Sequence, residues 1–265
     1  MKRFVLVGCG QRGCDMFAKP ITADFKGEAQ LCGVFDKNHL RAKVVSEKCG
    51  GVPVFDDFEA MIKQTKPDTV IVATVDATHH IYEIRAMEMG CDVISEKPMT
   101  TDVEKCRDIL EAEKRTGKHV TVTFNCRFMP VFKKIKELMV QKTVGDIHSV
   151  HLEWLLDTTH GADYFRRWHK RLENSGGLLI HKATHHFDVV NWCIDDTPKV
   201  VSAFGDLCFY GPKRRERGER CLTCAYKKPA SFISILKPNI TRRNFILIMS
   251  LLTDIFAIAA FFRTT

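Results

Sequence analysis

The sequence predicts an α/β fold, in which a doubly wound parallel sheet is followed by an α+β domain with an incomplete open sheet. Short apolar stretches alternate with amphipathic ones from the start of the chain to about residue 124. Such an alternation is typical of a parallel sheet with helices on both faces. After residue 125 this rhythm stops. We therefore expect domains at residues 1–124 and 125–228, and an atypical apolar tail at 229–265.

Five short apolar runs, rich in β-branched residues, predict the strands of the first domain. They cover residues 3–7, 30–36, 69–73, 91–95 and 119–124. One helix between them is expected to begin at Thr101-Asp102 and to end before Gly117, a residue that suits a helix C-terminus. In the second domain we expect helices at 130–141 and 178–193 and strands at 147–156 and 200–210.

The first strand runs directly into a glycine-rich turn that fits G-x-G-x-x-G, and a segment that can be helical follows. Its residues are Gly8, Cys9, Gly10, Gln11, Arg12 and Gly13. The first glycine allows a tight bend, the second lets the backbone approach a pyrophosphate, and the third lets the helix pack on the strand. The helix N-terminus offers free N–H groups to that phosphate. The turn favours a Rossmann domain that binds a dinucleotide, although a turn that binds nothing stays an alternative.

The second strand ends in Asp36, about twenty residues after the last glycine of the turn. A carboxylate at this position can accept hydrogen bonds from the adenosine ribose hydroxyls, which favours NAD over NADP. The neighbouring Lys37 and Arg41 leave room for NADP.

The composition is that of a soluble globular protein, with 45% apolar and 27% charged residues among 265. The net charge is +8, and the densest basic run, 213–220, is interrupted by two glutamates and lacks aromatic residues. A solvated loop is therefore expected there, and no nucleic-acid partner. No signal peptide is recognised at the N-terminus, so the expected location is the cytoplasm.

In that compartment the eleven cysteines are expected to be reduced. Cys221 and Cys224 form a C-x-x-C pair, but no second pair completes a four-ligand site, so no metal is expected. Residues 245–262 form an apolar run of 18 residues, at the short end of the ~17–25 that span a membrane. Because Asp254 near its centre would cost ~2.5–3.5 kcal/mol in a bilayer, a buried or aggregating segment is favoured over a membrane span.

Two groups of residues suit catalysis. Lys97 follows a strand whose carboxyl end should face the cofactor, and its charge can stabilise a developing alkoxide. Glu96 is expected to orient Lys97 as an ion-pair partner, and Pro98 to fix the turn, with a cis peptide bond as one option. A surface ion pair that closes a loop is the alternative interpretation.

The second group lies on the helix that follows Gly176-Gly177. His181, Lys182 and His185 lie at spacings that place them on neighbouring faces, and Asp188 could orient an imidazole. Proton transfer suits them better than zinc, because histidine titrates near neutral pH and a lysine beside other cations loses its proton more easily. Charges on a solvated helix face are the alternative.

Together these residues resemble the Gfo/Idh/MocA family of nicotinamide-dependent oxidoreductases. The resemblance covers roughly residues 1–226. The motifs that carry it are Gly8–Gly13, Asp36, Ala73–His79, Gly90–Pro98, Asn125–Pro130 and the helix with Lys182 and His185.

The resemblance implies that Lys97 is the catalytic lysine and His185 the catalytic histidine. Lys182 matches a branch of the family that reads Lys-x-x-His and is a candidate for an extra acid or base. The family often has an aspartate four residues before the histidine, where this chain has His181, also a candidate catalytic residue. The implied cofactor contacts, beside the glycine-rich turn and Asp36, are Thr74, His79, Glu96 and Lys97.

The implied activity is hydride transfer to or from a secondary hydroxyl or carbonyl of a sugar, cyclitol or related small molecule. The alternatives are an NAD-dependent glycoside-cleaving enzyme that oxidises its substrate transiently, and an inactive truncated cofactor-binding protein. A homo-oligomer is implied as well. The family-like sequence is expected to end near Lys228, so residues 229–265 are interpreted as an altered reading of the gene.

Overall fold

The computed structural model describes residues 1–156, 158–165, 167–207 and 210. The chain divides into two compact units. The first contains Met1–Met129 together with Arg171–Asp188, and the second contains Pro130–Lys170 and the residues from Val189 onward. Residues 171–188, which the sequence suggests belong to the second domain, therefore pack with the first unit. The basic run, the C-x-x-C pair and the apolar tail lie outside the described residues.

The first unit contains a sheet of six parallel strands in the order β3-β2-β1-β4-β5-β6. The strands are β1 Lys2–Val7, β2 Ala29–Phe35, β3 Val54–Phe55, β4 Thr69–Val72, β5 Asp92–Glu96 and β6 Val120–Thr123. Five of them confirm the sequence prediction to within two residues at each end, and β3, only two residues long, was missed. This order is that of a Rossmann sheet, whose ligands bind where the strand order reverses, beyond the carboxyl ends of β1 and β4.

Helices connect the strands. The first helix, α1, has three consecutive stretches, Gln11–Gly13, a π-helical turn Cys14–Ala18, and Lys19–Thr22. The others are α2 His39–Lys48, α3 Phe58–Thr65, α4 His79–Glu88, α5 Val103–Thr116, α6 Pro130–Val140, α7 Thr158–Gly161, α8 Leu172–Ser175, α9 Leu178–His181 and α10 Thr184–Ile194.

The caps of α5 confirm the sequence reading. The Asp102 side chain accepts the N–H of Lys105 at 3.0 Å, and Gly117 ends the helix with a φ of +68°. A short polar side chain at the first position and a left-handed glycine after the last turn both satisfy backbone groups that the helix leaves without partners.

The core lies on both faces of the sheet. Val5 and Val7 of β1 pack into one apolar cluster and Leu6, between them, packs into the other. All three side chains are fully buried. A strand buried on both faces explains why β1 is a continuous apolar run rather than an alternating one.

Several expectations for the later part of the chain are wrong. Helix α6 is found as predicted, but residues 147–156 and 200–207 form no strand. The alternating pattern of 147–156 stabilises a strand only when a neighbouring strand pairs with its backbone, and the described residues place none beside it. The predicted helix 178–193 is broken between α9 and α10. No described helix combines the length and the hydropathy that a membrane span requires.

Candidate functional site

The glycine-rich turn lies between β1 and α1. Gly8 has a φ of +94°, and a Cβ there would lie 2.5 Å from the carbonyl group of Ala73 after β4. A Cβ on Gly13 would lie 2.1 Å from the carbonyl oxygen of Gly8. Both distances are shorter than any van der Waals contact, so only glycine allows the turn to fold as it does.

Gly10 differs from these two glycines. A Cβ there would meet no atom within 4 Å, so the backbone faces open space. The first hydrogen bond of α1 joins the N–H of Cys14 to the carbonyl of Gly10, and no side chain caps the helix. The N–H groups of Gln11, Arg12 and Gly13 therefore have no acceptor within the helix. This combination of space and free donors fits the pyrophosphate of a dinucleotide.

A substitution at Gly10 separates ligand binding from folding. Gly10→Ala should leave the melting temperature unchanged, because its backbone conformation is an ordinary one and the methyl group meets nothing. The same methyl group occupies the space for the phosphate, so we expect the Kd for NADH, measured by fluorescence titration, to rise about ten-fold or more. Gly13→Ala is the control that should lower the melting temperature. An unchanged Kd in Gly10→Ala would contradict the assignment.

Asp36 lies at the end of β2 with 9% of its surface exposed. Its carboxylate accepts the backbone N–H groups of Cys9 and Asn38, each at 2.8 Å. A carboxylate has about four acceptor positions, so it can accept ribose hydroxyls as well. Arg41 lies 3.6 Å from one of its oxygens. The backbone N–H of Cys9 is therefore already bonded to Asp36. Burial, with a contribution from the charge of Asp36, raises the pKa of the Cys9 thiol to about 12.

Thr74 and His79, implied as cofactor contacts, contact the protein itself. The Thr74 hydroxyl lies 2.9 Å from that of Thr78. The ring nitrogens of His79 lie 2.9 Å from the carbonyl oxygen of Pro98 and 3.3 Å from that of Thr74. Since only 1% of His79 is exposed, this residue joins the loops after β4 and β5 and does not present its ring to a ligand.

Lys97 follows β5, and the Lys97–Pro98 peptide bond is cis. The expected ion pair between Glu96 and Lys97 is not formed. The Glu96 carboxylate accepts a hydrogen bond from Arg12 Nε at 2.7 Å, so it links β5 to α1. The amine of Lys97 instead donates to the carbonyl oxygen of His181 at 2.5 Å. The sequence separations of 84 residues in both contacts explain why the pattern alone did not predict them.

The surroundings of Lys97 lower its pKa. Burial is the main cause, and the cations of Lys182 and Arg12 act in the same direction. The carboxylates of Asp76 and Glu96 oppose them. The amine therefore loses its proton more easily than an ordinary lysine, as is useful for a group that exchanges a proton with a substrate oxygen.

His181 and His185 are both buried, and neither titrates near neutral pH as the sequence suggested. Burial, together with the charges of Lys97 and Lys182, lowers the pKa of His185 to about 3 and also lowers that of His181. His181 Nδ1 lies 2.5 Å from a carboxylate oxygen of Asp76. The Nδ1 of His185 has no hydrogen-bond partner in the described chain. Both rings are thus neutral at physiological pH, and His185 can only gain a proton.

The predictions for Lys182 and Asp188 have different outcomes. Lys182 is half-buried, and burial lowers its pKa as expected for a candidate acid or base. Asp188 does not orient an imidazole. It pairs through both oxygens with the guanidinium of Arg127, from the loop after β6.

The sequence analysis missed two residues of the site, Asp76 and Cys126. Asp76 lies within the Ala73–His79 motif, which by itself assigns it no role. The thiol of Cys126, whose pKa burial raises, lies within the electrostatic reach of Lys182 and Lys97.

Comparison with known proteins identifies the family. Residues 2–124 match the model of the NAD-binding Rossmann fold of the Gfo/Idh/MocA oxidoreductases, and residues 136–246 match that of their C-terminal alpha/beta domain. The chain belongs to the Gfo/Idh/MocA oxidoreductase family. The match to this family extends past Lys228, where the family-like sequence was expected to end.

Two curated relatives of the family are informative. YteT of Bacillus subtilis, whose name places it only among oxidoreductases, is 40% identical over 255 residues, which are 92% of this chain and 60% of YteT. Inositol 2-dehydrogenase 2 of Saccharopolyspora erythraea is 32% identical over 202 residues, 75% of this chain and 55% of that enzyme. The chain thus spans about 55–60% of the length of these relatives.

Solved structures of dehydrogenases are similar to this chain. The WlbA dehydrogenase of Chromobacterium violaceum, in complex with NADH and UDP-GlcNAcA, matches with a TM-score of 0.68 and 27% identity over 77% of this chain and 58% of that one. The myo-inositol 2-dehydrogenase of Lactobacillus plantarum has a TM-score of 0.67 at 20% identity, over 77% of this chain and 59% of that one, and shows the shared fold alone.

Proposed function

We propose that the chain is a nicotinamide-dependent oxidoreductase that transfers hydride to or from a secondary hydroxyl or carbonyl of a sugar, cyclitol or related small molecule. The observation that carries this proposal is the half-buried amine of Lys97 at the carboxyl end of β5. It lies two strands from the glycine-rich turn, about 10 Å at the usual strand spacing. The ion pair between Arg12 and Glu96 ties the two segments together.

The residues divide into binding and reacting groups. The N–H groups at the start of α1 would hold the pyrophosphate, Gly10 would leave room for it, and Asp36 would accept the adenosine ribose. When bound, the nicotinamide ring would accept or supply the hydride. Lys97 would donate a hydrogen bond to the reacting oxygen and stabilise negative charge on it. The half-buried amine of Lys182, whose pKa burial lowers, would accept the proton of a substrate hydroxyl, and the neutral ring of His185 would hydrogen-bond to that hydroxyl and orient it.

The relatives support the proposed substrate class. An inositol dehydrogenase and a D-glucoside 3-dehydrogenase are among the proteins that match this chain. A polyhydroxylated ring presents secondary hydroxyls, the group on which the proposed arrangement acts.

An absorbance assay at the wavelength of NADH tests the proposal. The chain is incubated with NAD and, separately, with inositols, hexoses and nitrophenyl glycosides. A dehydrogenase should accumulate NADH with at least one polyol or sugar. Release of nitrophenol without net NADH would instead identify the glycoside-cleaving alternative. Binding of NADH without turnover of any compound would identify the inactive cofactor-binding protein.

We also propose that NAD is preferred over NADP, because the carboxylate of Asp36 would repel the additional phosphate of NADP. Asp36→Asn removes this charge but keeps an acceptor oxygen, and it leaves Arg41 available to pair with the phosphate. The ratio of the Kd for NADPH to that for NADH should fall about ten-fold or more in this variant. Asp56→Asn, which neutralises an exposed carboxylate beside His39, is the matched control and should leave the ratio unchanged. A wild-type preference for NADPH would refute this assignment.

A further inference from the structure

Two residues that are distant in the sequence, Asp76 and His181, are in contact. Asp76 begins the short helical turn Asp76–Thr78 after β4, and His181 ends α9, 105 residues later. The imidazole Nδ1 lies 2.5 Å from the carboxylate oxygen. Asp76 is 3% exposed and His181 8% exposed, so the contact is buried. A carboxylate accepts and does not donate, so the hydrogen lies on Nδ1.

The backbone of His181 makes a second contact. Because the helix is interrupted between α9 and α10, the N–H of His185 bonds to the carbonyl of Lys182, and the carbonyl of His181 is available to the amine of Lys97. One residue therefore contacts Asp76 with its ring and Lys97 with its backbone. The position of the Asp76 carboxylate consequently fixes the acceptor that holds the amine.

The charges around Lys97 favour Asp76 as the carboxylate that matters to it. The anions that act on the amine are Asp76 and Glu96, and the cations are Lys182 and Arg12. Glu96 forms an ion pair with Arg12 at 2.7 Å, which offsets its charge. The rings of His181 and His185 are neutral. A hydrogen bond from a neutral ring leaves the negative charge of Asp76 in place.

We propose that Asp76 is a positioning residue, which acts through His181 to hold the amine of Lys97 at the reacting oxygen and to keep that amine charged. The carboxylate that the family often carries at the position of His181 is, in this chain, supplied from the loop after β4. The inference deepens the proposed function, because it concerns the lysine on which that function rests.

The test measures the amine directly and needs neither cofactor nor substrate. The full chain is labelled with acetic anhydride across a range of pH, and the extent of acetylation at Lys97 is read by peptide mass spectrometry. Asp76→Asn should move the midpoint of labelling at Lys97 to lower pH by about half a unit or more, because a neighbouring anion is lost. The double variant Asp76→Asn/His181→Asp restores a carboxylate at the other position and should return the midpoint toward that of the wild type.

The exposed Lys63, which pairs with Glu59, is the internal control, and its midpoint should not move. An unchanged midpoint at Lys97 in Asp76→Asn, or a double variant that labels like the single one, would overturn the proposal. If Asp76→Asn does not fold, an NMR measurement on the wild type still tests the proposal. In the wild type, the chemical shift of the His181 Nδ1–H should change with pH around the midpoint of Lys97 labelling. A chemical shift that does not change at that pH would also overturn the proposal.

Turnover measurements then distinguish a failure of the proposed function from a failure of the role assigned to Asp76. In an active wild type, Asp76→Asn should lower kcat with little change in KM, and the double variant should recover part of it. If the wild type turns over no compound, the proposed function fails, while the labelling midpoint still supports or refutes the role of Asp76.

Discussion

Lys97→Met should lower kcat/KM by about 10³-fold while the Kd for NADH changes little. The methionine keeps the length and apolar stem of the lysine but provides no donor for the reacting oxygen. The pKa of Lys97 is already lowered by burial, so removal of its charge should not destabilise the fold. Steady-state rates with the substrate found in the polyol panel, together with fluorescence titration of NADH, measure both quantities.

Lys63→Met is the matched control for this variant. Lys63 is an exposed lysine on α3 whose partner is Glu59, and it lies in the same unit. Its substitution should leave both kcat/KM and the Kd unchanged. Turnover by Lys97→Met at the wild-type rate would contradict the catalytic role of Lys97 and favour a protein that only binds the cofactor.

The second large effect is expected at Glu83, a residue of α4 that is fully buried. Neither oxygen of its carboxyl group makes a hydrogen bond of good geometry in the described chain. Burial raises the pKa of Glu83 to about 8; the charge of Glu113 adds to the increase and the Ser95 hydroxyl opposes it. The folded protein therefore holds a proton there that the unfolded chain, with an ordinary value of 4.5, releases.

The sign of the pH dependence follows from this difference. Between pH 4.5 and 8 the unfolded state binds fewer protons at this site than the folded state, so the contribution of Glu83 to stability falls as the pH rises. Since one pKa unit corresponds to about 1.4 kcal/mol, the loss between pH 5 and pH 8 is about 3–4 kcal/mol. Glu83→Gln is neutral at every pH and should not show this loss.

Urea unfolding of the wild type and Glu83→Gln at pH 5 and pH 8 measures the effect. The difference in the free energy of unfolding between variant and wild type should grow by about 3–4 kcal/mol in favour of the variant at pH 8. The difference is the useful quantity because His185, whose pKa is lowered, favours the folded state as the pH rises through 6.5 and acts in the opposite direction. Glu59→Gln, at a partly exposed carboxylate that pairs with Arg85, is the control. An equal effect at both pH values would show that Glu83 is ionised in the fold.

The sequence predicted those parts of the fold that local patterns determine. Buried parallel strands are continuous apolar runs, so β1 and β4 were recognisable, and Asp102 and Gly117 marked the ends of α5. Strand β3 has two residues and no pattern of its own. Residues 147–156 have a strand pattern, but a strand also needs a neighbour, which sequence alternation does not provide.

The candidate site shows the same division. Lys97, His185 and the glycine-rich turn were found because they lie in recognisable sequence motifs, and their roles stay proposals. The partners were not found, since Glu96 bonds to Arg12 and His181 to Asp76 across long stretches of chain. The low pKa of His185 was also missed, because burial is a property of the folded chain and not of the residue. The homo-oligomer, the cytoplasmic location and the altered reading of residues 229–265 stay predictions.

A crystal structure of the chain grown with NADH measures the central claim most directly. We predict the pyrophosphate beside Gly10 and the N–H groups of Gln11 and Arg12, and the adenosine ribose on Asp36. The nicotinamide ring should face the amine of Lys97. A dinucleotide bound elsewhere, or a Lys97 amine directed into solvent while the glycine-rich turn stays closed to the phosphate, would contradict the claim.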